Sequence, residues 1–244
     1  MKNINWINIW INVRLVLMLA LIITMYSFTS IRNEQRKLTK TEVVFIGDET
    51  HFLTLKAVNK LLIENNEDVK RIRKVELDLN KLEKSINNNN MIEKSEVFVS
   101  IDGVLKAVVK QKTPVARIFE LDSSFYIDYQ GNKMPLSPIH CARVPLVSGE
   151  INNKNKKELS ELFRYIFEDD FLKKNIIGVQ VFPNGALLMT NRNYKYDIDF
   201  GRAISVDKKF NNYKAFFQKA VQDSSINKYK RITLRYTQQV VCTK

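Results

Sequence analysis

Between Arg14 and Arg32 the chain carries no charge, and only Thr24, Ser27, Thr29 and Ser30 are polar. Those 17 residues make a helix about 25 Å long at a rise of about 1.5 Å per residue. Ile9, Trp10, Ile11 and Val13 lengthen the apolar stretch once Arg14 snorkels to the headgroups. The span then approaches the roughly 20 residues that a bilayer core requires. Trp6 and Trp10, the two tryptophans of the chain, stand four apart on one helical face, where an interfacial aromatic belt sits. With Leu15, Leu19 and Ile23 they form the expected membrane anchor. A cleaved signal peptide is the competing reading. The length of the run and the lack of an A-x-A-like cleavage site favour an uncleaved anchor.

The flanking charges point the other way from the orientation adopted below. Lys2 and Arg14 precede the span, whereas Arg32, Arg36, Lys37 and Lys40 follow it, offset by Glu34 and Glu42. Counting Lys and Arg alone keeps the large C-terminal part inside. Long domains nonetheless translocate against such a bias.

The remainder reads as two α+β modules. With 45% hydrophobic and 27% charged residues, the chain is neither disordered nor a many-span transporter. The first module opens on a β-branched strand at 43–46, ending at Gly47. Thr54 caps a helix with Leu55, Val58, Leu61 and Leu62 on one face. Asp78 precedes a second helix carrying Leu79, Leu82 and Ile86, which dissolves in the four asparagines at 87–90. Val97, Val99 and Ile101 alternate as a strand, Asp102-Gly103 turns the chain, and residues 104–111 return. The order is β-α-α-β-β.

In the second module, strands are expected at 116–120, 125–128 and 144–147. Leu159, Leu162, Phe163, Ile166 and Phe167 make an amphipathic helix over 156–171. Strands at 176–182 and 186–190 flank the hairpin Pro183-Asn184-Gly185, and another follows at 194–200. A last helix over 206–221 turns Phe210, Tyr213, Phe217 and Ala220 inward, and one long strand over 229–241 closes the chain. The expected fold class is α+β: a single N-terminal transmembrane helix, the β-α-α-β-β module, then a mixed β-sheet domain with two helices.

Catalytic patterns are missing. No H-E-x-x-H, C-x-x-C, G-x-S-x-G, Walker loop or G-x-G-x-x-G occurs, so the sequence names no catalytic residue, metal ligand set or cofactor. His140 and Cys141 are neighbours that would point to opposite faces of a strand. Asp197 and Asp199 share a strand face, but two carboxylates alone make a weak cation site and read better as solvated. Whether Cys141 and Cys242 pair stays open, and Glu168-Asp169-Asp170 has no functional account. The net charge of +13 is diffuse and lacks any nucleic-acid-binding signature, so no nucleic-acid partner is expected.

The order of these features resembles the FtsQ/DivIB family of cell-division proteins. Val44-Phe45-Ile46-Gly47 resembles the opening of a POTRA domain, and the 97–109 hairpin its close. Lys112-Thr113-Pro114-Val115-Ala116-Arg117 resembles the E-x-x-P-x-A segment that leaves it, with Gln111 where an acid is usual. Tyr126-Ile127-Asp128-Tyr129-Gln130-Gly131, Met134-Pro135-Leu136-Ser137 and Arg143-Val144-Pro145-Leu146-Val147-Ser148-Gly149 are similar to the start of the family's β-domain. Phe200-Gly201-Arg202 is similar to its L-G-R element. Ile232-Thr233-Leu234-Arg235-Tyr236 resembles V-D-L-R-Y, with Thr233 in place of Asp.

The resemblance implies a cytoplasmic tail at 1–12, a transmembrane helix at 13–31, a juxtamembrane linker at 32–42, a POTRA-like domain at 43–112 and a β-domain at 113–244. It implies a non-enzymatic, single-pass inner-membrane scaffold of the divisome, with its N-terminus cytoplasmic and the bulk of the chain periplasmic. Its partners are then the lipid bilayer and small bitopic coiled-coil division proteins of the FtsB/FtsL type, received by strand addition at the C-terminal sheet edge. Arg235 and Tyr236 carry that contact, with Arg231, Gln238 and Val240 beside them. The alternatives are a POTRA-bearing protein of outer-membrane assembly or secretion, and a membrane-anchored periplasmic enzyme.

Overall fold

The computed structural model describes residues 6–47, 52–63, 70, 72–120, 123–152 and 155–244. The chain divides into two compact units, Met1–Gly47 with Thr54–Lys110, and Asp48–Leu53 with Gln111–Lys244.

The first unit begins with α1 (Trp6–Glu34). The most apolar 18-residue stretch within Trp10–Glu34 has a mean hydropathy of 1.9 and is not buried against the protein. Trp10, Leu15, Leu19 and Ile23 are all exposed. Trp6 opens the helix, but its side chain lies outside the described residues. The unit continues through β1 (Lys40–Ile46), α2 (Leu55–Leu62), a short 3-10 turn at Lys74–Glu76, α3 (Leu79–Asn87), β2 (Ile92–Val99) and β3 (Val104–Gln111). The helices start where the sequence places their caps. Thr54 Oγ1 accepts from Ala57 N–H at 3.1 Å, and Asp78 from Lys81 N–H at 3.0 Å. β3 lies between β1 and β2, and it runs parallel to β1 with Val44 opposite Val108. Every second residue of β3 (Leu105, Ala107, Val109) is buried with Val58, Leu62, Ile86 and Val97. Each such fully buried aliphatic side chain of Val or Leu size contributes roughly 2 kcal/mol of transfer free energy.

One detail differs here. β2 starts at Ile92, because Asn89 Oδ1 accepts the Met91 N–H and Asn87 Oδ1 the Ser95 N–H. It ends at Val99, so Ile101, expected in the strand, lies in the turn and is 80% exposed.

The second unit is a nine-stranded sheet with helices packed on it. Its strands are β4 (Pro114–Phe119), β5 (Ser124–Asp128), β6 (Lys133–Met134), β7 (Leu146–Gly149), β8 (Ile176–Val181), β9 (Leu187–Asn191), β10 (Asp197–Gly201), β11 (Arg231–Thr233) and β12 (Val241–Thr243). Their spatial order is β12-β11-β10-β9-β8-β7-β4-β5-β6. The pairs β4/β7, β7/β8 and β10/β11 are parallel and the others antiparallel. Between β7 and β8 run α4 (Lys156–Glu168) and α5 (Asp170–Asn175), and α6 (Val206–Gln222) joins β10 to β11. Leu159, Leu162, Phe163 and Ile166 of α4, and Phe210 and Tyr213 of α6, share one core with Ile118, Val147, Val179, Met189, Ile198 and Ile232 of the sheet.

Two expectations are corrected. The helix expected over 156–171 breaks at Asp169 into α4 and α5, which with α6 are the α-helices among the described residues of this unit. Asp169 leaves helical geometry (φ −95°, ψ 113°), and its carboxylate accepts the Leu172 N–H at 2.9 Å as the N-cap of α5. The acidic run 168–170 thereby gains its account. Asp169 caps and pairs with Lys214, Asp170 sits in the first turn of α5, where negative charge is favourable, and Glu168 accepts from the Tyr129 hydroxyl. The second correction is the strand expected over 229–241, which is two three-residue strands separated by a loop. β10 bulges between Asp199 and Gly201, and Gly201 turns away with φ +68°. The last rung is Leu234 N–H to Asp199 O at 2.8 Å. Residues beyond it have no strand to pair with until the chain returns as β12.

Candidate docking edge

The strand at the C-terminal end of the sheet is β12, which among the described residues pairs with β11 on one side only. Its outer side is open, and an open strand edge is a template for another chain. The loop that delivers β12 is held at several points. Leu234 is fully buried and Val240 packs against the same core. Arg235 Nε donates to Asp199 Oδ1 at 3.0 Å and lies 2.9 Å from Oδ2 in an ion pair. Asn212 Nδ2 donates to Thr237 O at 2.9 Å. What remains outward is Tyr236, 54% exposed, with Thr237, Gln238 and Gln239.

The five candidate residues therefore do not form one surface. Arg231, Arg235, Tyr236 and Gln238 are exposed, whereas Val240 is half-buried on the core side. Arg231 lies on β11, one strand inside the edge, and Arg235, Tyr236 and Gln238 lie on the loop.

Beside the loop is an open cleft of about 400 Å³ lined by Gly201, Arg202, Ile204, Lys209, Arg235 and Thr237 among others. Three of these side chains are cationic. Lys209 is 4% exposed, and its ammonium donates to Phe200 O at 2.9 Å and Arg202 O at 2.8 Å. Burial holds it below the usual lysine range, and the nearby Asp199 carboxylate works against that. For Arg235 the hydrogen bond it donates to Asp199, then the carboxylate's charge, pushes the guanidinium up, so it stays cationic. The arrangement can receive an extended main chain along β12 and negative charge in the cleft next to the loop.

Asp199, Gly201, Lys209, Asn212 and Leu234 were not singled out as parts of this site from the sequence. The alternation of Asp197 and Asp199 was visible, but the residue that Asp199 holds is 36 positions away, and no local signal links them. Asp199 is thus a clamp for Arg235 rather than part of a cation site. His140 and Cys141 lie in a loop, not on a strand. His140 packs edge-on to Phe52, and Cys141 Sγ accepts from the Tyr126 hydroxyl at 3.5 Å. Cys141 and Cys242 are both free thiols.

The family model described as FtsQ/DivIB, C-terminal related, matches residues 113–243, more than half of the 244-residue chain. No curated protein matches the chain.

Proposed function

The chain belongs to the FtsQ/DivIB family of cell-division proteins, and from that premise we propose that it is a non-enzymatic scaffold of the divisome. On this reading α1 crosses the inner membrane once, with the N-terminus cytoplasmic. Residues 43–112 form a POTRA-like domain and residues 113–244 a β-domain, both outside that membrane. The scaffold recruits and links later division proteins. Its direct partner is a small bitopic coiled-coil division protein of the FtsB/FtsL type, whose extended segment adds to β12. Acidic side chains of that segment lie against the Arg202, Lys209 and Arg235 cleft, and Tyr236 and Gln238 contact its flank.

The observation that carries this reading is the open β12 edge, delivered by a loop whose buried Leu234 and clamped Arg235 leave Tyr236 outward. Affinity in strand addition comes from main-chain hydrogen bonds, and specificity from side chains at the flank. Tyr and Arg are residue types enriched at interface hot spots.

Depletion of the protein should give filamentous cells with blocked septa. A photo-crosslinking amino acid at position 236 should capture a small single-span protein in dividing cells. Normal division on depletion, or a position 236 that captures no such protein while the same label at Val241 also captures none, would refute the proposal.

A further inference from the structure

The exit of α1 is built into the first unit rather than joined to it by a loose tether. Past the helix end, Gln35 N–H donates to Ile31 O and Arg36 N–H to Asn33 O, both at 3.2 Å. The next residues are held on two sides. Lys74 N–H donates to Arg36 O and Leu38 N–H to Ile72 O, both at 3.0 Å, and Lys37 bridges Arg73. Opposite, Thr39 N–H donates to Gly103 O at 2.8 Å, the Thr39 hydroxyl to Asp102 O at 3.2 Å, and the Arg36 guanidinium to Ile101 O at 3.3 Å. Gly103 has φ +80°, and a Cβ there would lie 2.8 Å from Lys37 O. The turn before α3 and the tip of the β2–β3 hairpin are therefore fixed at the end of the membrane helix. Arg36 lies five positions past Ile31, the last residue of the uncharged run, about 7 Å at a helical rise. That is about the depth of a headgroup layer.

The side chains presented there are the two kinds an interface takes. Ile101 is 80% exposed and Val75 62%, the two most exposed large apolar side chains among the described residues after α1. Arg36, Lys37, Lys74, Ile101 and Gly103 line a shallow cleft of about 290 Å³. Arg32, Arg36, Lys37 and Lys74 outnumber Glu34 and Asp102, while Arg73 is paired with Glu76 and Lys40 with Glu42. An apolar tip ringed by Lys and Arg binds in the headgroup region of an anionic leaflet.

We infer that the end of the first unit next to α1 is a lipid-docking collar, which seats Ile101 and Val75 in the bilayer and binds anionic phospholipid headgroups through Arg36, Lys37 and Lys74. The collar gives the basic residues after the span a role of their own, in place of the inward orientation that their count suggested. The inference rests on α1 crossing a bilayer.

The test uses the full chain in nanodiscs of phosphatidylcholine with or without phosphatidylglycerol. A nitroxide is placed by Ile101→Cys, or by Gln222→Cys as an exposed control, with Cys141→Ser and Cys242→Ser in the background. With phosphatidylglycerol, position 101 should be at least about fivefold less accessible to a nickel chelate than position 222, the factor one basic side chain near an anionic surface supplies. Phosphatidylcholine alone, or Lys37→Glu with Lys74→Glu, should raise the accessibility of position 101 toward that of the control. Equal accessibility of both positions in both lipids overturns the collar. Protection that ignores lipid charge and the two reversals overturns the headgroup contact. A carbonate wash separates these failures from that of the anchor. Retention with an accessible position 101 overturns the collar alone, and extraction overturns the anchor and the collar together.

Discussion

Replacing Tyr236 by Ala should weaken the partner contact and leave the fold intact. The side chain is 54% exposed and lies outside the core cluster. Truncation leaves no cavity, so the stability cost should stay under about 0.5 kcal/mol. For a cooperative unit of this size, about 1 kcal/mol moves the melting temperature by roughly 4 °C, so the shift should be within about 2 °C. Two positions earlier, Leu234 is 0% exposed and its N–H makes the last rung of the β10–β11 ladder. Leu234→Ala should cost about 3 kcal/mol by transfer and cavity terms, a fall of roughly 12 °C. The two variants thus separate surface from scaffold on the same loop. The assay pairs thermal melting of the detergent-solubilised chain with a titration of the division partner. Tyr236→Ala should weaken binding by about 30-fold, the equivalent of roughly 2 kcal/mol at a hot-spot aromatic. A melting shift as large as that of Leu234→Ala would make Tyr236 structural. An unchanged melting temperature with unchanged affinity would remove Tyr236 from the interface.

Three further outcomes follow from the second unit. Asn191 Nδ2 donates to the Tyr213 hydroxyl at 3.0 Å, which also bonds the Tyr196 hydroxyl at 2.8 Å, all three residues being buried. Tyr213→Phe strands both partners and should cost about 2 to 4 kcal/mol in urea unfolding; a loss under about 1 kcal/mol would mean that the partners find other bonds. Burial pushes the Asp169 carboxyl up, but the Lys214 and Leu172 hydrogen bonds and the Lys214 charge outweigh it and hold it below the usual Asp value. Its stabilisation is therefore present above about pH 4, the unfolded value, and lost as pH falls through the lower folded value. Asp169→Asn should lose less stability on acidification through that window than the unaltered chain, and equal slopes would refute the assignment. Gly149 has φ +102°, and a Cβ there would lie 2.0 Å from Val181 O across the β7–β8 pair. Gly149→Ala should cost at least about 3 kcal/mol; a melting temperature within 2 to 3 °C of the unaltered chain, on the same roughly 4 °C per kcal/mol scale, would show that the strands can separate there.

What the sequence determined by itself was local. The uncharged run set α1, because a long apolar helix needs no partner residue to be recognised. Thr54 and Asp78 set the starts of α2 and α3 through bonds that reach three residues. Asp102-Gly103 and Asn184-Gly185 set two turns, with Gly103 at φ +80° and Gly185 at φ +78°. The spacing of Leu159, Leu162, Phe163 and Ile166 marked the buried side of α4. The tertiary structure decided what depends on a distant neighbour. A β-branched run extends as a strand only as far as another strand accompanies it. Residues 229–241 read as one strand, yet β10 turns off at Gly201, so the ladder stops at Leu234 and β12 becomes the free edge. The break at Asp169 is set by a carboxylate choosing Leu172 N–H and Lys214 over continued helix. The orientation of Arg235 comes from Asp199, 36 residues away. Strand ends, edges and charge clamps are products of chain closure over long separations, and their energies appear only once the partners have met.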